Sequence, residues 1–244
     1  MLRDIIEIFN SDPNIGVTTR RKTPGEELEL VQQFISFKKN TFNPSPTNKL
    51  AIFVEPKIGK SYPDIVFAEY NPDNFDSWAD VRFDLDLSDL KTLYHIYVTF
   101  SIDTSGIVKQ LGMSWKKAAL SVEKLYDANL IIRKDKKWQL RNREALKLNR
   151  IEAVEAKIDK WEEVFQQALL NKNFASESYV LSKVVSTPRE NTIMRFNNFG
   201  IGLYVKCSTG FRTVTKAIKA SIPVSFTSII FNEWIGRALQ TGAV

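Results

Sequence analysis

The sequence is poor in cysteine and histidine: it has one cysteine, Cys207, and one histidine, His95, among 244 residues. This scarcity excludes a disulfide framework, a zinc site built from Cys and His, and a metal nuclease that uses a pair of histidines. His95 lies in an apolar, aromatic run and is expected to be a satisfied helix residue. A single cysteine indicates a reducing compartment or indifference to one; we expect a cytoplasmic protein because the sequence also lacks a membrane span and a secretory signal.

Long apolar segments are also missing. Charged residues interrupt every apolar stretch, so none reaches the roughly 20 residues that a membrane-spanning helix requires. The first residues include the acidic Glu7 and Asp12 and do not resemble a secretory signal. The sequence therefore predicts a protein without a membrane partner.

The charge balance favours an anionic partner. The net charge is +6 and the isoelectric point is about 9.2, and nucleic acid is the common partner of basic proteins. With 43% hydrophobic and 25% charged residues, the chain is expected to bury a core of ordinary size.

The most informative stretch is the apolar run at 151–158, which carries Glu155 and Lys157 two residues apart. On a strand these two side chains share one face. Because burying them there costs desolvation energy unless other charges meet them, the stretch predicts a functional site. The alternative is that Glu155 and Lys157 pair with each other, or with surface charges at a sheet edge.

A second charge, Asp64, begins another apolar stretch directly after Pro63. Asp64 has a simpler interpretation as a turn residue after proline. Together, however, Pro63-Asp64 and Glu155-Ala156-Lys157 resemble the PD-(D/E)xK nuclease superfamily. The helix predicted at 161–169 and the strand predicted at 177–181 follow in the order found in such nuclease cores.

This resemblance implies an α/β fold of the restriction endonuclease type, a mixed sheet flanked by helices, and a metal-dependent deoxyribonuclease. It implies that Asp64, Glu155 and the backbone carbonyl of Ala156 bind Mg²⁺, for which Mn²⁺ could substitute. Lys157 would orient or help deprotonate the attacking water. No small-molecule cofactor is expected.

Two further residues are candidates for the same site. The first helix of the core, predicted from Gly25 to about Lys39, often supplies a Glu in this superfamily. Glu27 is favoured because it lies on the core-facing side of that helix, with Glu26 second; alternatively, these are helix N-terminal charges. In the helix after the lysine, the superfamily often has Gln followed four residues later by Tyr, whereas here Gln167 is followed by Asn171.

A different pattern lies between the two halves of this motif. Three helices are predicted, at 87–99, 104–111 and 114–128, and two short strands flank the basic turn at 134–137. This order resembles a winged helix-turn-helix domain. The residues expected to contact DNA are Ser114, Trp115, Lys116 and Lys117 in the third helix and Arg133, Lys134, Lys136 and Lys137 in the wing. Winged helices also serve as protein-interaction or dimerisation domains.

The expected domains are therefore 1–83 and 143–244, which form the two halves of a nuclease core, and an inserted winged helix at 84–142. Insertions of this kind succeed at exposed hairpin tips. The predicted function is a DNA endonuclease of a restriction, defence or mobile-element type, and a homodimer is expected because two cuts need two centres. The alternatives are a DNA-binding regulator on an inactive nuclease scaffold and a protein-interaction module.

Secondary structure at the remaining positions is predicted from local patterns. The predictions include a basic cluster at 20–22, a hairpin turn at 56–62, a helical linker at 141–149, a polar loop at 186–191 and a strand at 199–206. Helices are predicted at 211–220 and 226–239. The second of these has an apolar cluster that would cover the sheet or form a dimer interface.

Overall fold

The computed structural model describes residues 4–20, 24–58, 62–76, 78–157, 161–183 and 189–242. The described strands are β1 (Ile5–Ile8), β2 (Val17–Thr19), β3 (Lys49–Val54), β4 (Pro56–Ile58), β5 (Ile65–Tyr70), β6 (Ile131–Lys134), β7 (Lys137–Leu140), β8 (Arg150–Lys157), β9 (Glu177–Ser182), β10 (Gly202–Cys207) and β11 (Gly210–Thr215). The described α-helices are α1 (Glu26–Thr41), α2 (Leu87–Thr99), α3 (Thr104–Leu111), α4 (Trp115–Asp127), α5 (Trp161–Asn171), α6 (Glu190–Phe199) and α7 (Phe226–Thr241). Short 3-10 helices lie at Pro13–Ile15, Pro72–Asn74, Asp80–Asp84 and Glu144–Leu146.

A mixed seven-stranded sheet forms the centre of the described chain, in the order β1-β3-β5-β8-β9-β10-β11. Strand β5 is antiparallel to both β3 and β8, whereas β8, β9 and β10 are parallel to one another. Helix α5 connects β8 to β9, as parallel strands require a crossover. Strand β8 is thus central and is buried on both faces along most of its length.

Helices cover both faces of the sheet. Leu30, Val31, Phe34 and Ile35 of α1 pack on one face, against alternate residues of β3, β5, β8 and β9. Helices α5 and α6 cover the opposite face over β9 and β10, and α7 covers it over β3 and β5. The predicted α/β fold with a mixed sheet flanked by helices is confirmed. No helix of the described ranges is both long enough and apolar enough to cross a membrane.

Residues 87–140 form a unit of three helices and a two-stranded sheet, in which α2 and α3 have the bounds predicted from sequence. Local caps explain why these bounds were predictable: Asp86 caps α2, Asp103 caps α3 and Ser114 caps α4 through side-chain hydrogen bonds. Between α2 and α3, Ile102 forms an antiparallel bridge with Trp138 of β7. The unit packs on α7 and shares one hydrophobic cluster with the central sheet.

Helix α7 is part of the chain's own core. Its predicted apolar cluster, which is Ile229, Ile230, Phe231, Trp234 and Ile235, is fully buried, so it covers the sheet and is not a free dimer surface. Glu233 of α7 is also buried and forms an ion pair with buried Arg82 through two hydrogen bonds. These contacts hold α7 against the 3-10 helix at Asp80–Asp84.

Four predictions of secondary structure differ from the structure. Residues 190–191, predicted as part of a polar loop, are the first two residues of α6. Residues 211–215 of the helix predicted at 211–220 belong instead to β11, because their Thr-Val-Thr run suits a pleated strand that pairs with β10, and the rest is not helical. The helical linker predicted at 141–149 contains only the single turn Glu144–Leu146. The strand predicted at 199–206 starts at Gly202, because Phe199 ends α6 and Gly200 caps that helix with a left-handed φ of 64°.

Several predictions involve residues outside the described ranges. They concern Ile158, residues 21–22 of the basic cluster, residues 59–61 of the hairpin turn and residues 186–188 of the polar loop. The described part of that hairpin turn contains β4, which pairs with β2 instead of forming a simple loop.

Candidate active site

Asp64, which directly precedes β5, lies beside Glu155 of the neighbouring antiparallel strand β8. In the register of β5 and β8, Ile65 is opposite Val154, so the next pair outward is Asp64 and Glu155. The two carboxyl groups are within hydrogen-bond reach of each other. The backbone N–H of Ala156 donates to Asp64 Oδ2 over 2.7 Å. Residues 91 positions apart in the sequence therefore form one carboxylate pair.

Burial and mutual repulsion disfavour the ionised form of this pair. The pKa of Asp64 is raised to about 6, mainly by desolvation and also by the charges of Glu27 and Glu55, against the lowering effects of the Ala156 N–H and Lys157. Glu155 is only 3% exposed, and burial followed by the charge of Asp64 raises its pKa well above the usual range. Perturbation by desolvation and a like charge at one position is typical of functional sites.

Lys157 and Glu27 lie beside the pair. Lys157 Nζ is 3.3 Å from Glu27 Oε1, and Glu27 is itself about half exposed at the start of α1. Desolvation lowers the pKa of Lys157, but the charge and hydrogen bond of Glu27 outweigh it, so the pKa of Lys157 is raised. Lys157 is therefore a permanent cation at neutral pH, which favours stabilisation of negative charge over removal of a proton from water.

Asn171, at the end of α5, is a site residue that was not predicted from sequence. Its side-chain amide donates to Glu155 Oε1 over 2.6 Å, and both groups are buried. This bond stabilises the ionised form of Glu155 and thus opposes the effect of burial. The signal was the spacing of Gln167 and Asn171, since residues four apart share one face of a helix. Gln167 is half-buried one turn earlier, and its side chain forms no hydrogen bond with the residues that the structure describes.

The donor set fits a hard divalent cation held largely by water. Among the described residues, no cluster of three or more Asp, Glu, His or Cys side chains could hold a metal ion. Asp64 and Glu155 supply two carboxylates, and Mg²⁺ is commonly bound through one or two carboxylates while it keeps several waters. The repulsion between these carboxylates is the kind of strain that a divalent cation relieves. Ala156 contacts the pair through its N–H, whereas sequence suggested its carbonyl as a ligand.

The residues predicted to contact DNA lie on the surface of the unit at 87–140. Ser114 caps α4, Trp115 is 60% exposed in its first turn, and Lys116 and Lys117 are exposed beside it. The remaining four, Arg133, Lys134, Lys136 and Lys137, are all exposed on β6, β7 and the turn that joins them. The α4 residues thus form one exposed basic surface, and the four residues of the β6–β7 hairpin form another.

A second set of charges, missed from sequence, lies on the α1 face of β8. Glu152 is fully buried, with Lys38 Nζ 2.7 Å from Oε1 and Arg150 Nη2 2.5 Å from Oε2. Arg150 also binds Glu177 through two hydrogen bonds. These residues line or border a pocket of about 310 Å³. Because opposite charges pair with one another, we explain this network as a buried ion-pair cluster of the core, in which Glu152 Oε1 contacts Lys38 but accepts no hydrogen bond.

Replacement of Asn171 should weaken metal binding. We expect Asn171→Leu to lower the affinity for Mn²⁺ by roughly 10- to 100-fold, because Glu155 loses the donor that stabilises its ionised form. Isothermal titration calorimetry at pH 7 measures this directly. The matched control is Gln166→Leu, which removes an exposed amide from the same helix and should leave the affinity unchanged. Equal affinities in Asn171→Leu and the wild type would contradict the proposed contact.

Comparisons with protein-family models, curated proteins and solved structures found no match. The chemistry of the site therefore follows from its own residues. A carboxylate pair, a lysine held in its charged form and a buried amide meet at one end of the central strands. Such a set can bind a divalent cation and a negatively charged substrate together.

Proposed function

We propose that this protein is a metal-dependent DNA endonuclease of the PD-(D/E)xK type. The observation that carries the proposal is the pairing of Asp64 with Glu155 on adjacent strands, with Lys157 two residues further along β8. This arrangement of the motif residues supports the proposal. A pair held together only for stability would be costly, since like charges in a buried place destabilise the folded state.

The order of elements supports this proposal. Helix α1, strands β3, β5 and β8, helix α5 and strand β9 follow one another, with β5 antiparallel to β3 and β8, and with β8 parallel to β9. This resembles the core of restriction endonuclease-like proteins in both order and strand direction. Residues 87–140 interrupt the core between the two halves of the motif, as an inserted module would.

The chain's own residues have distinct roles in the proposed reaction. Asp64 and Glu155 would hold Mg²⁺, and the hydrogen bond from Asn171 orients Glu155 and opposes the rise in its pKa. When bound, the ion supplies Lewis acidity and lowers the pKa of water. Lys157 places a positive charge beside the position of the scissile phosphate, and Glu27 fixes the ammonium group there. The product would be a hydrolysed phosphodiester bond in DNA.

The unit at 87–140 is proposed to be a winged helix that holds DNA. The isolated antiparallel bridge between Ile102 and Trp138 ties the segment between α2 and α3 to the β6–β7 hairpin, which supports a winged-helix arrangement. The first turn of α4 has no acidic residue but contains Lys116 and Lys117. Cations at the positive end of a helix dipole are unfavourable, so an anion such as a DNA phosphate would stabilise this turn.

Replacement of both lysines should weaken DNA binding without affecting the carboxylate pair. We expect Lys116→Ala/Lys117→Ala to lower the affinity roughly 10-fold and to reduce the slope of log K against log salt by about 2. Fluorescence anisotropy with a labelled duplex at several salt concentrations measures both. The control Lys216→Ala/Lys219→Ala removes the same charge from an exposed segment after β11. An equal loss in both double variants would indicate a general charge effect.

The experiment that tests the function is incubation of the protein with plasmid and linear DNA in the presence of Mg²⁺, Mn²⁺ or EDTA. Cleavage that requires a metal supports the nuclease, and linear products from plasmid would support a homodimer with two centres. DNA binding without cleavage under any condition would favour the regulator with an inactive scaffold. Absence of both cleavage and salt-dependent DNA binding would favour a protein-interaction module.

A further inference from the structure

Three residues next to the carboxylate pair form a cluster that the proposed mechanism does not use. Arg20 Cζ lies 3.6 Å from the centre of the Tyr62 ring, and Lys57 Nζ lies 5.6 Å from it. We call these residues the Arg20 cluster. Arg20 and Lys57 are exposed, and Tyr62 is half-buried. The cluster is thus open to a ligand from solvent.

Backbone hydrogen bonds fix the cluster close to the candidate active site. The N–H of Arg20 donates to the carbonyl of Glu55 over 3.1 Å, and the N–H of Glu55 donates to the carbonyl of Asp64 over 2.9 Å. Tyr62 precedes Asp64 by two residues, and Lys57 lies on β4, which pairs with β2 just before Arg20. The pairing of β2 with β4 therefore positions Arg20 and Lys57 near the segment that carries Tyr62 and Asp64.

The charges of the cluster are not compensated within the described chain. Neither Arg20 nor Lys57 forms an ion pair with a carboxylate of the described residues, whereas exposed Lys147 and Lys183 each pair with a glutamate. Lys57 and then Arg20 lower the pKa of Tyr62 against the effect of desolvation, as two cations close to one phenol should. Two like charges on one ring repel each other, so a bound anion would stabilise the arrangement.

We infer that the Arg20 cluster binds a backbone phosphate of the DNA strand, on the flank of the phosphodiester bond that Asp64 and Glu155 attack. This inference rests on the proposed function. A guanidinium group offers a planar fork that matches two phosphate oxygens, and an ammonium group adds a point charge. Tyr62 is a positioning residue, because its ring holds the guanidinium in one orientation. The cluster thereby sets the register of the strand at the carboxylate pair.

The test is DNA binding by the full chain in EDTA, where cleavage cannot interfere. We expect Arg20→Ala/Lys57→Ala to reduce the slope of log K against log salt by about 2 and to lower the affinity roughly 10-fold. Tyr62→Ala should show about half of these reductions in affinity and salt slope, because Arg20 is no longer held in one orientation. Tyr62→Phe keeps the ring and should bind like the wild type. The control Arg212→Ala/Lys216→Ala removes an arginine and a lysine from the opposite sheet edge, at and after β11. Circular dichroism verifies that each variant folds.

Cleavage kinetics separate this inference from the proposed function. In the presence of Mg²⁺, the cluster variant should show a raised KM with kcat within about 3-fold of the wild type. The reason is that the lost phosphate contact stabilises the bound substrate and the transition state equally. Wild-type affinity, salt slope and KM in the cluster variant would overturn the inference and leave the nuclease intact. If the wild type never cleaves DNA but the cluster variant still has a reduced salt slope, the phosphate contact is supported and the proposed nuclease function is overturned. If the wild type binds no DNA, both fail.

Discussion

Glu155→Ala should abolish metal-dependent DNA cleavage while DNA binding is retained. We expect the rate to fall at least about 1,000-fold, because a lost ligand removes several kcal/mol of metal-derived stabilisation of the transition state. Asp64→Asn should have a similar effect, since it removes the other carboxylate of the pair. The measurement is plasmid cleavage with Mg²⁺ or Mn²⁺, alongside anisotropy of labelled DNA in EDTA.

The control for these variants is Asp73→Asn, which changes an exposed carboxylate in a 3-10 helix away from the sheet. It should cleave at the wild-type rate. The lysine variants of α4 should behave in the opposite way, with weakened binding and an unimpaired rate at saturating DNA. If Glu155→Ala and Lys116→Ala/Lys117→Ala lowered DNA binding equally, the division into a cleaving core and a binding module would be wrong. Cleavage that survives Glu155→Ala would remove this pair from the reaction.

Asp64→Asn should also stabilise the protein at pH 8 without divalent cations. The pKa of Asp64 is about 6 in the folded protein and 3.8 in a free side chain. Between these values the folded protein binds more protons than the unfolded chain, so the free energy of unfolding falls as the pH rises from about 4 to 6. At 1.36 kcal/mol per pKa unit, the full loss is up to about 3 kcal/mol. Asparagine carries no charge and avoids this loss.

Urea unfolding at pH 4 and pH 8 in EDTA measures this effect. Asp64→Asn should match the wild type at pH 4 and exceed it by up to about 3 kcal/mol at pH 8. An equal difference at both pH values would show that titration of Asp64 is not the cause. Added Mg²⁺ should stabilise the wild type more at pH 8 than at pH 5, because ligands must be deprotonated to bind a metal. The variant should respond little to Mg²⁺ at either pH.

Features that depend only on residues close in the sequence, such as where a helix begins, could be predicted from the sequence. The bounds of α2 and α3 were predictable because Asp86 and Asp103 cap them through hydrogen bonds to residues two or three positions away. Asp64 and Glu155 each stand out because a charge interrupts an apolar stretch, and the resemblance to the PD-(D/E)xK motif is what predicted them as a pair.

Tertiary structure decided the features that depend on distant partners. Residues 211–220 follow a pattern that suits either a helix or a strand, and pairing with β10 made part of them β11. The buried network of Glu152 required Lys38 from α1 and Arg150 from β8, more than 100 residues apart. Likewise, Asn171 appeared in the sequence only as a departure from the Tyr that often follows Gln by four residues in the superfamily. Its role was not predictable because its partner Glu155 lies on another element.

The sequence by itself, through its resemblance to a nuclease motif, predicted the members of the candidate site: two acids, a lysine and two groups of surface cations. Only the tertiary structure decided the charge states of these residues and the neighbouring groups that contact them. Burial raised the pKa of both acids, Glu27 kept Lys157 protonated, and Asn171 opposed the cost of ionising Glu155. The physical reason is that a pKa depends on every charge and dipole nearby, and sequence order does not specify which groups the fold brings together.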